Sequence, residues 1–309
     1  MAHMDVVFSD ETELPLRVED GRIYCPGVGD DTACLVCLLL AGKYIARHVD
    51  SPSWREIRGE DAPGLLLVCN AGEEGLGNLK GVRKICEDYG GRIKSFCTFD
   101  SSLSSIVDRA VGSKRFRVKV RTRGGHSYND FGNDNAIAGL ASLVGKLYKI
   151  QVPEGGKTTY NVGMISGGTS VNTIAQEAEM LYEFRSDKRE NLEYMERQFM
   201  EVLDRAKAEG MDVSFQVIGV RPCEGQVDPA QKQALTDWAH RVVEEMTGQA
   251  PKHHAGSTDC NIPLSLGIPS VCVGSFRGAG AHTREEYVET DSLEEGYEQA
   301  IGIFLVRRD

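Results

Sequence analysis

No apolar run in this sequence is long enough to span a bilayer. The longest, Ala33 to Gly42, is about half of the ~20 residues that crossing requires, and no basic segment leading into an apolar core opens the chain. Basic charge is also in deficit: 35 Lys and Arg face 46 Asp and Glu, a formal net charge of −11. Without a basic stripe the chain lacks the electrostatic footprint that phosphate backbones need, which argues against nucleic acid and against an anionic membrane surface as partners. The cytoplasm is the expected address. Disulfide staples are not expected either, because the nine cysteines are odd in number and a chain of this length can bury its own core. Cys34 and Cys37 form a CxxC with no second CxxC and no paired histidine nearby, so they read as core residues of a helix. Internal repeats and low-complexity stretches are lacking as well.

The 309 residues suffice for two domains, and the hydrophobic period changes type repeatedly along them, as mixed α and β structure requires. Apolar runs at Ala2–Phe8, Leu65–Ala71, Ser95–Phe99 and Ser270–Gly274 predict strands buried on both faces. Helices are predicted from Thr32 to about Ala46, over Gln231–Met246 behind Asp228-Pro229, and over Leu293–Val306 behind a Ser292/Glu295 capping box. The middle of the chain differs. In Arg115–Arg123 the apolar Phe116, Val118 and Val120 alternate strictly with Arg and Lys, the mark of a strand with one solvated face. A helix over Asn135–Ile150, strands at Thr158–Ser166 and Ala178–Ser186, a helix over Lys188–Glu209 and a strand at Asp212–Gly219 complete a βαββαβ order. The expected fold class is therefore α/β, a mixed sheet sandwiched by helices and built from residues 1–111 and 221–309. A ferredoxin-like α+β domain, residues 112–220, is inserted into it.

Chemistry-bearing residues gather where apolar strands end, which is where open α/β sheets hold ligands. His3 and Asp5 form an HxD pair suited to one metal ligand and one supporting group, although a solvated terminal histidine would read the same way. Asp30-Asp31 sits in a glycine-rich turn, where one Asp is explained by helix capping but two are not. With no lysine in that turn, a phosphate cradle is a poor alternative. Glu73-Glu74 follows a predicted strand, and a cation would relieve their repulsion, leaving one carboxylate as ligand and the other as general base. Asp100 and His282 follow further strand ends. His3, Asp30, Glu74, Asp100 and His282 together form a mixed N/O donor set for zinc, or for cobalt or manganese in a looser site, numerous enough for two ions sharing a bridge.

The motifs HMDVV, PGVGDD, AGEEG, the strand-terminal FD, GGH followed by NAI, and GSTD…GIPSVCVG…AHT resemble, in the same order, the di-zinc peptidase family of peptidase T, carboxypeptidase G, aminoacylase and acetylornithine deacetylase. The resemblance implies a zinc exopeptidase-like catalytic domain and an inserted lid through which two chains form a homodimer. It implies two zinc ions per subunit, one on His3 and Asp100, the other on Glu74 and His282, with Asp30 between them. Asp5 would support His3, and Glu73 would be the general base. His126 in the lid would reach the partner's active site to stabilise the oxyanion, while Asn172 and Arg185 would contact substrate and Gly256, Ser257 and Asp259 would line the cleft. The implied reaction is amide hydrolysis of short peptides, as by an aminopeptidase or tripeptidase; the alternative is deacylation of an N-acyl amino acid. His253-His254 has no counterpart and reads as a polar strand-to-loop segment. Two departures stand out. The family's Asn-x-x-Pro is Asn172-Thr173-Ile174-Ala175 here, and HxD begins at residue 3, where the family carries several tens of residues before it. The chain is accordingly expected to be shortened at its amino end, which leaves a metal-poor, non-catalytic dimer as the reading from another functional class.

Overall fold

A computed structural model describes residues 1–8, 13–52 and 64–305. The chain folds as two units, the first made of Met1–Ala110 with Glu224–Asp309 and the second of the intervening Val111–Cys223.

In chain order the first unit begins with β1 (Ala2–His3), β2 (Arg17–Glu19), β3 (Arg22–Tyr24), α1 (Cys34–His48), β4 (Cys69–Asn70), α2 (Lys80–Tyr89), β5 (Phe96–Phe99) and β6 (Ser105–Ala110). The second unit contributes β7 (Gly112–Arg121), β8 (Gly125–His126), α3 (Ala136–Leu147), β9 (Thr158–Gly167), β10 (Thr173–Ile174), β11 (Glu177–Ser186), α4 (Arg189–Ala208) and β12 (Asp212–Arg221). The chain then returns to the first unit as α5 (Pro229–Thr247), β13 (Lys252–Gly256), α6 (Asn261–Ser265), β14 (Ser270–Val273), β15 (Gly278–Ala279), β16 (Tyr287–Glu289) and α7 (Ser292–Leu305).

The first unit is a mixed sheet between two helical layers. Strands run in the order β13-β6-β14-β5, parallel except between β14 and β6. Bonds from Met1 N–H to Cys97 O and from Phe99 N–H to Met1 O carry the sheet on to β1, which pairs with β4 in parallel. Because side chains alternate across a strand, Phe99, Ile106, Val271 and Val273 face α1, α5 and α7, where they pack with Leu38, Trp238, Val242 and Ile303. Phe96, Val107 and Cys272 face the opposite layer, with Leu79, Val82 and Ile262. A separate antiparallel sheet, β15-β16-β3-β2, adjoins the Asp30 turn.

The second unit is a four-stranded antiparallel sheet in the order β12-β7-β11-β9, the ferredoxin-like arrangement. Its buried face, including Phe116, Val118, Val120, Met180, Tyr182 and Phe184, meets Leu140 and Leu143 of α3 and Met195, Phe199 and Leu203 of α4. Asn135 caps α3 by accepting from Ile137 and Ala138 N–H, which satisfies two of the helix's open donors.

Several local expectations are corrected. Ala2–Phe8 and Leu65–Ala71 form ladders only at Ala2–His3 and Cys69–Asn70, because β1 ends at His3, where the chain turns so that Asp5 reaches the Gly72–Glu74 backbone. Leu65, Leu66 and Leu67 are exposed, and the alternation that turns Asn70 inward turns Cys69 outward. The first helix begins at Cys34 rather than Thr32, since Asp30 and Asp31 hold non-helical dihedrals in the wide turn Val28–Ala33. The capping box is not made. Glu295 instead grips Arg277 bidentately at 2.6 and 2.8 Å, a stronger charged pairing, and Ser292 accepts from Arg277 N–H. The helix over 293–306 is described as far as Leu305.

Candidate metal centre

Four segments of the first unit converge on the carboxylate of Asp30. β1 delivers His3, the turn ahead of α1 delivers Asp30, the segment after β4 delivers Glu74, and the loop between β15 and β16 delivers His282. Asp30 Oδ1 lies 3.0 Å from His3 Nε2, while Oδ2 lies 2.9 Å from His282 Nε2. Asp100, just past β5, stands 3.9 Å from the same His3 nitrogen, and Glu74 stands 3.3 Å from the His282 nitrogen. Donor atoms of His3, Asp30 and Asp100, of Asp30, Glu74 and His282, and of His3, Glu73 and Glu74 each fall within 4.8 Å of one another. The centre has one end under His3, which is 1% exposed, and an open end at His282. His282 also adopts a left-handed backbone, φ 66°, unusual for a residue with a Cβ.

The backbone around these donors is held by carboxylates that are not themselves in the cluster. Asp5 accepts from the N–H of Gly72 at 2.7 Å, Glu73 at 3.3 Å and Glu74 at 2.9 Å, fixing the loop that carries both glutamates. Asp5 also meets His3, its backbone carbonyl lying 3.0 Å and its carboxylate 3.8 Å from Nδ1. Asp31, 1% exposed, accepts His3 N–H at 2.9 Å, so the second aspartate of the pair holds the strand while the first faces the imidazoles. Neither caps the helix.

The acids are electrostatically crowded. Burial and the neighbouring Asp31, Glu73 and Asp30 drive the Asp100 carboxyl well above its ordinary range. Burial, Asp30 and Glu73 lift Glu74 to about 7. Burial pulls the His3 imidazole down, but Asp30, Asp31, Asp100 and Glu73 outweigh it and push His3 up to about 11. Asp30, though buried, is held below the usual carboxylate range by His3 and His282.

This donor set fits divalent cations. Among the described residues, His3 Nε2 is buried and close to two carboxylates, yet makes no hydrogen bond of good geometry. Ligands about 2.0–2.1 Å from one tetrahedral ion stand roughly 3.3 Å apart, and the 2.9, 3.0 and 3.3 Å separations, which are also ion-pair distances, leave the donors near enough to share a cation. Mixed imidazole and carboxylate donors suit zinc, manganese or cobalt.

Other candidates lie elsewhere. Gly256 ends β13 opposite Ala110, and Ser257 follows it, half-buried. Asp259 is corrected as a cleft residue: it is 1% exposed and accepts from Asn70 Nδ2 at 2.6 Å, beneath the strand pair that carries His3, and burial together with Glu73 lifts its carboxyl to about 7. In the second unit β8 pairs with β10, placing His126 opposite Thr173, and Ser127 N–H bonds Asn172 O. Arg185 stands eight residues up β11 from Glu177, about 27 Å along the strand at roughly 3.4 Å per residue. There Glu183 already clamps its guanidinium at 2.8 and 3.2 Å. His253 is part of β13 and not of a loop; it bonds Asp108 at 2.8 Å and His240 at 2.8 Å, a network satisfied within itself.

Sequence reasoning missed Glu286. It is 2% exposed and accepts from the N–H of Gly27, Gly29 and Asp30 at 2.6, 2.9 and 2.7 Å. Within the run Arg284-Glu285-Glu286 no sequence pattern marks which glutamate turns inward.

Residues 110–211 match the peptidase dimerisation domain of the M20 family, and that span contains the ferredoxin-like sheet up to the start of β12. In that segment the chain is similar to the M20 metallopeptidases. Among its relatives, the acetylornithine deacetylase of Myxococcus xanthus is 24% identical over 306 residues, 95% of this chain and 75% of the relative. The fold is similar to that of the aminopeptidase PepT of Bacillus cereus across 98% of this chain and 78% of that one, at 23% identity and TM-score 0.69. A Staphylococcus aureus tripeptidase matches equally widely, at 22% identity and TM-score 0.70. Among the described residues, no helix is long and apolar enough to cross a membrane.

Proposed function

We propose that this chain hydrolyses the amide bond of short peptides, as an aminopeptidase or tripeptidase, at a two-metal centre formed by His3, Asp30, Glu74, Asp100 and His282. The observation that carries the reading is that the two oxygens of one carboxylate, Asp30, face His3 and His282, beside which Asp100 and Glu74 stand. His3 and Asp100 would hold one zinc, Glu74 and His282 the other, and Asp30 both. Bound cations would supply Lewis acidity and a water that ionises near neutral pH. Glu73, buried beside His3 and Glu74, takes the proton of the attacking water and returns it to the leaving amine. Asp5 keeps Glu73 and Glu74 in place through their backbone N–H groups.

The second unit is proposed as the lid and dimerisation domain, with His126 of one chain stabilising the oxyanion in its partner. His126 and Asn172 belong to the β8–β10 pairing that follows the Arg121–Glu177 end of the four-stranded sheet, whereas Arg185 pairs with Ser113 at its other end, a separation that supports a site completed by two chains. The acetylornithine deacetylase relative supports a second substrate reading, an N-acyl amino acid. Turnover of a tripeptide panel against a set of N-acetyl amino acids separates the two. Glu73→Gln is expected to lower turnover by about 10²- to 10⁴-fold, the usual contribution of a general base, with metal content by elemental analysis unchanged. Wild-type turnover in that variant, or loss of its metal, would refute the assignment of Glu73 as base.

A further inference from the structure

We propose that Glu286 is a positioning residue that keeps the Asp30 carboxylate centred, and thereby decides whether two ions can share it; the inference rests on the metal-centre reading above. Glu286 spreads its two oxygens over one turn of backbone, Oε2 taking Gly27 N–H and Oε1 taking the N–H of both Gly29 and Asp30. The turn closes tightly around it. A Cβ on Gly29 would sit 3.0 Å from Oε1 and 2.8 Å from the Phe276 ring, and Gly27 holds φ +78°. Hydrogen bonds from N–H to a carboxylate are about twice as strong as neutral ones, and here they fix the peptide that carries the Asp30 side chain.

The same residue ties this turn to the His282 loop. Glu286 lies four residues beyond His282, and its carbonyl accepts Cys25 N–H at 3.1 Å, next to the pairing of Tyr287 with Tyr24 that joins β16 to β3. Asp30 and His282 thus approach each other from two segments whose common anchor is one buried carboxylate. A single ion tolerates an Asp30 displaced toward it. Two ions do not, because Oδ1 must stay on the His3 side while Oδ2 stays on the His282 side. Loss of the anchor should therefore be felt by the Glu74/His282 ion and spare the His3/Asp100 ion.

The test is titration of the full-length, metal-free chain with Co²⁺ alone, read by calorimetric stoichiometry and by visible absorption. Wild type should bind two ions. Glu286→Gln, which sets an amide NH₂ against N–H donors, should keep the first at wild-type affinity and weaken the second by about 10–100-fold, the usual effect of removing a group that orients a ligand. Circular dichroism verifies folding, and should the glutamine variant fail to fold, Glu286→Asp, which keeps the charge and withdraws it by one methylene, is read in the same way. Two ions bound with unchanged affinities, or both weakened alike as general destabilisation would do, overturns the proposal. A wild-type chain that takes up no Co²⁺ overturns instead the metal-centre reading on which it stands.

Discussion

Replacing Asp5 with alanine tests whether the glutamate loop is held by one carboxylate. The substitution removes the acceptor for three backbone donors, two at short range, Gly72 at 2.7 Å and Glu74 at 2.9 Å, and Glu73 at 3.3 Å. In the native fold these N–H groups hold the Asp5 carboxyl below its ordinary range despite its partial burial. Hydrogen bonds to a charged group contribute about 1.5–3 kcal/mol each. The Asp5 side chain is 27% exposed, so water replaces part of what is lost, and the expected cost is about 2–4 kcal/mol. For a unit of roughly 200 residues that lowers Tm by roughly 5–15 °C. The assay is urea unfolding with a chelator present, so that metal binding does not enter, followed through the fluorescence of Trp238, buried in the core of the same unit. The midpoint should fall with the slope unchanged. Asp5→Asn, which keeps one acceptor oxygen, should lie between wild type and alanine. A shift below about 0.5 kcal/mol for alanine, the size of an ordinary surface change, would mean that the loop carries its own order and that Asp5 is incidental to it.

Two further outcomes concern the second unit. Phe199 is fully buried, with ring centroids 4.2 Å from Phe116, 5.5 Å from Tyr182 and 5.7 Å from Phe215, so Phe199→Ala should destabilise this unit by about 3–5 kcal/mol. Near-ultraviolet circular dichroism of its tyrosines reads the loss, and an unchanged transition would contradict a single core there. Glu183, half-buried, is held below its ordinary range because Arg185 and Arg115 outweigh the effect of burial. A carboxyl lowered in the fold stabilises above its unfolded pKa of about 4.3 and ceases to as pH falls through the folded value. Wild type should thus lose more stability than Glu183→Gln between pH 7 and pH 3, and parallel losses in urea midpoint would remove Glu183 from the acid response.

Where a residue's role followed from its neighbours in sequence, the pattern was readable. The alternation of Phe116, Val118 and Val120 marks the buried face of β7 because a strand has period two, and Asp228-Pro229 opens α5, with the aspartate accepting Gln231 N–H at 2.8 Å. Ser292 and Glu295 had the spacing of a capping box, yet Arg277, 18 residues earlier, took the glutamate instead. Spacing identifies a local partner only when no stronger one outside that spacing competes.

The sequence by itself determined the two-part organisation, the ferredoxin-like order of the inserted segment, and which strand ends carry acids and histidines, because periodicity and turn residues act over a few positions. Tertiary structure decided which of those groups share a centre and what holds them. It set the two oxygens of Asp30 between His3 and His282, turned Asp31 to the backbone of His3, gave Asp5 to the Glu73–Glu74 loop, and buried Glu286 rather than Glu285. Those choices depend on backbone donors brought within hydrogen-bond reach from as far as 259 residues away. A carboxylate's place among such donors is settled only when the whole sheet has closed around it.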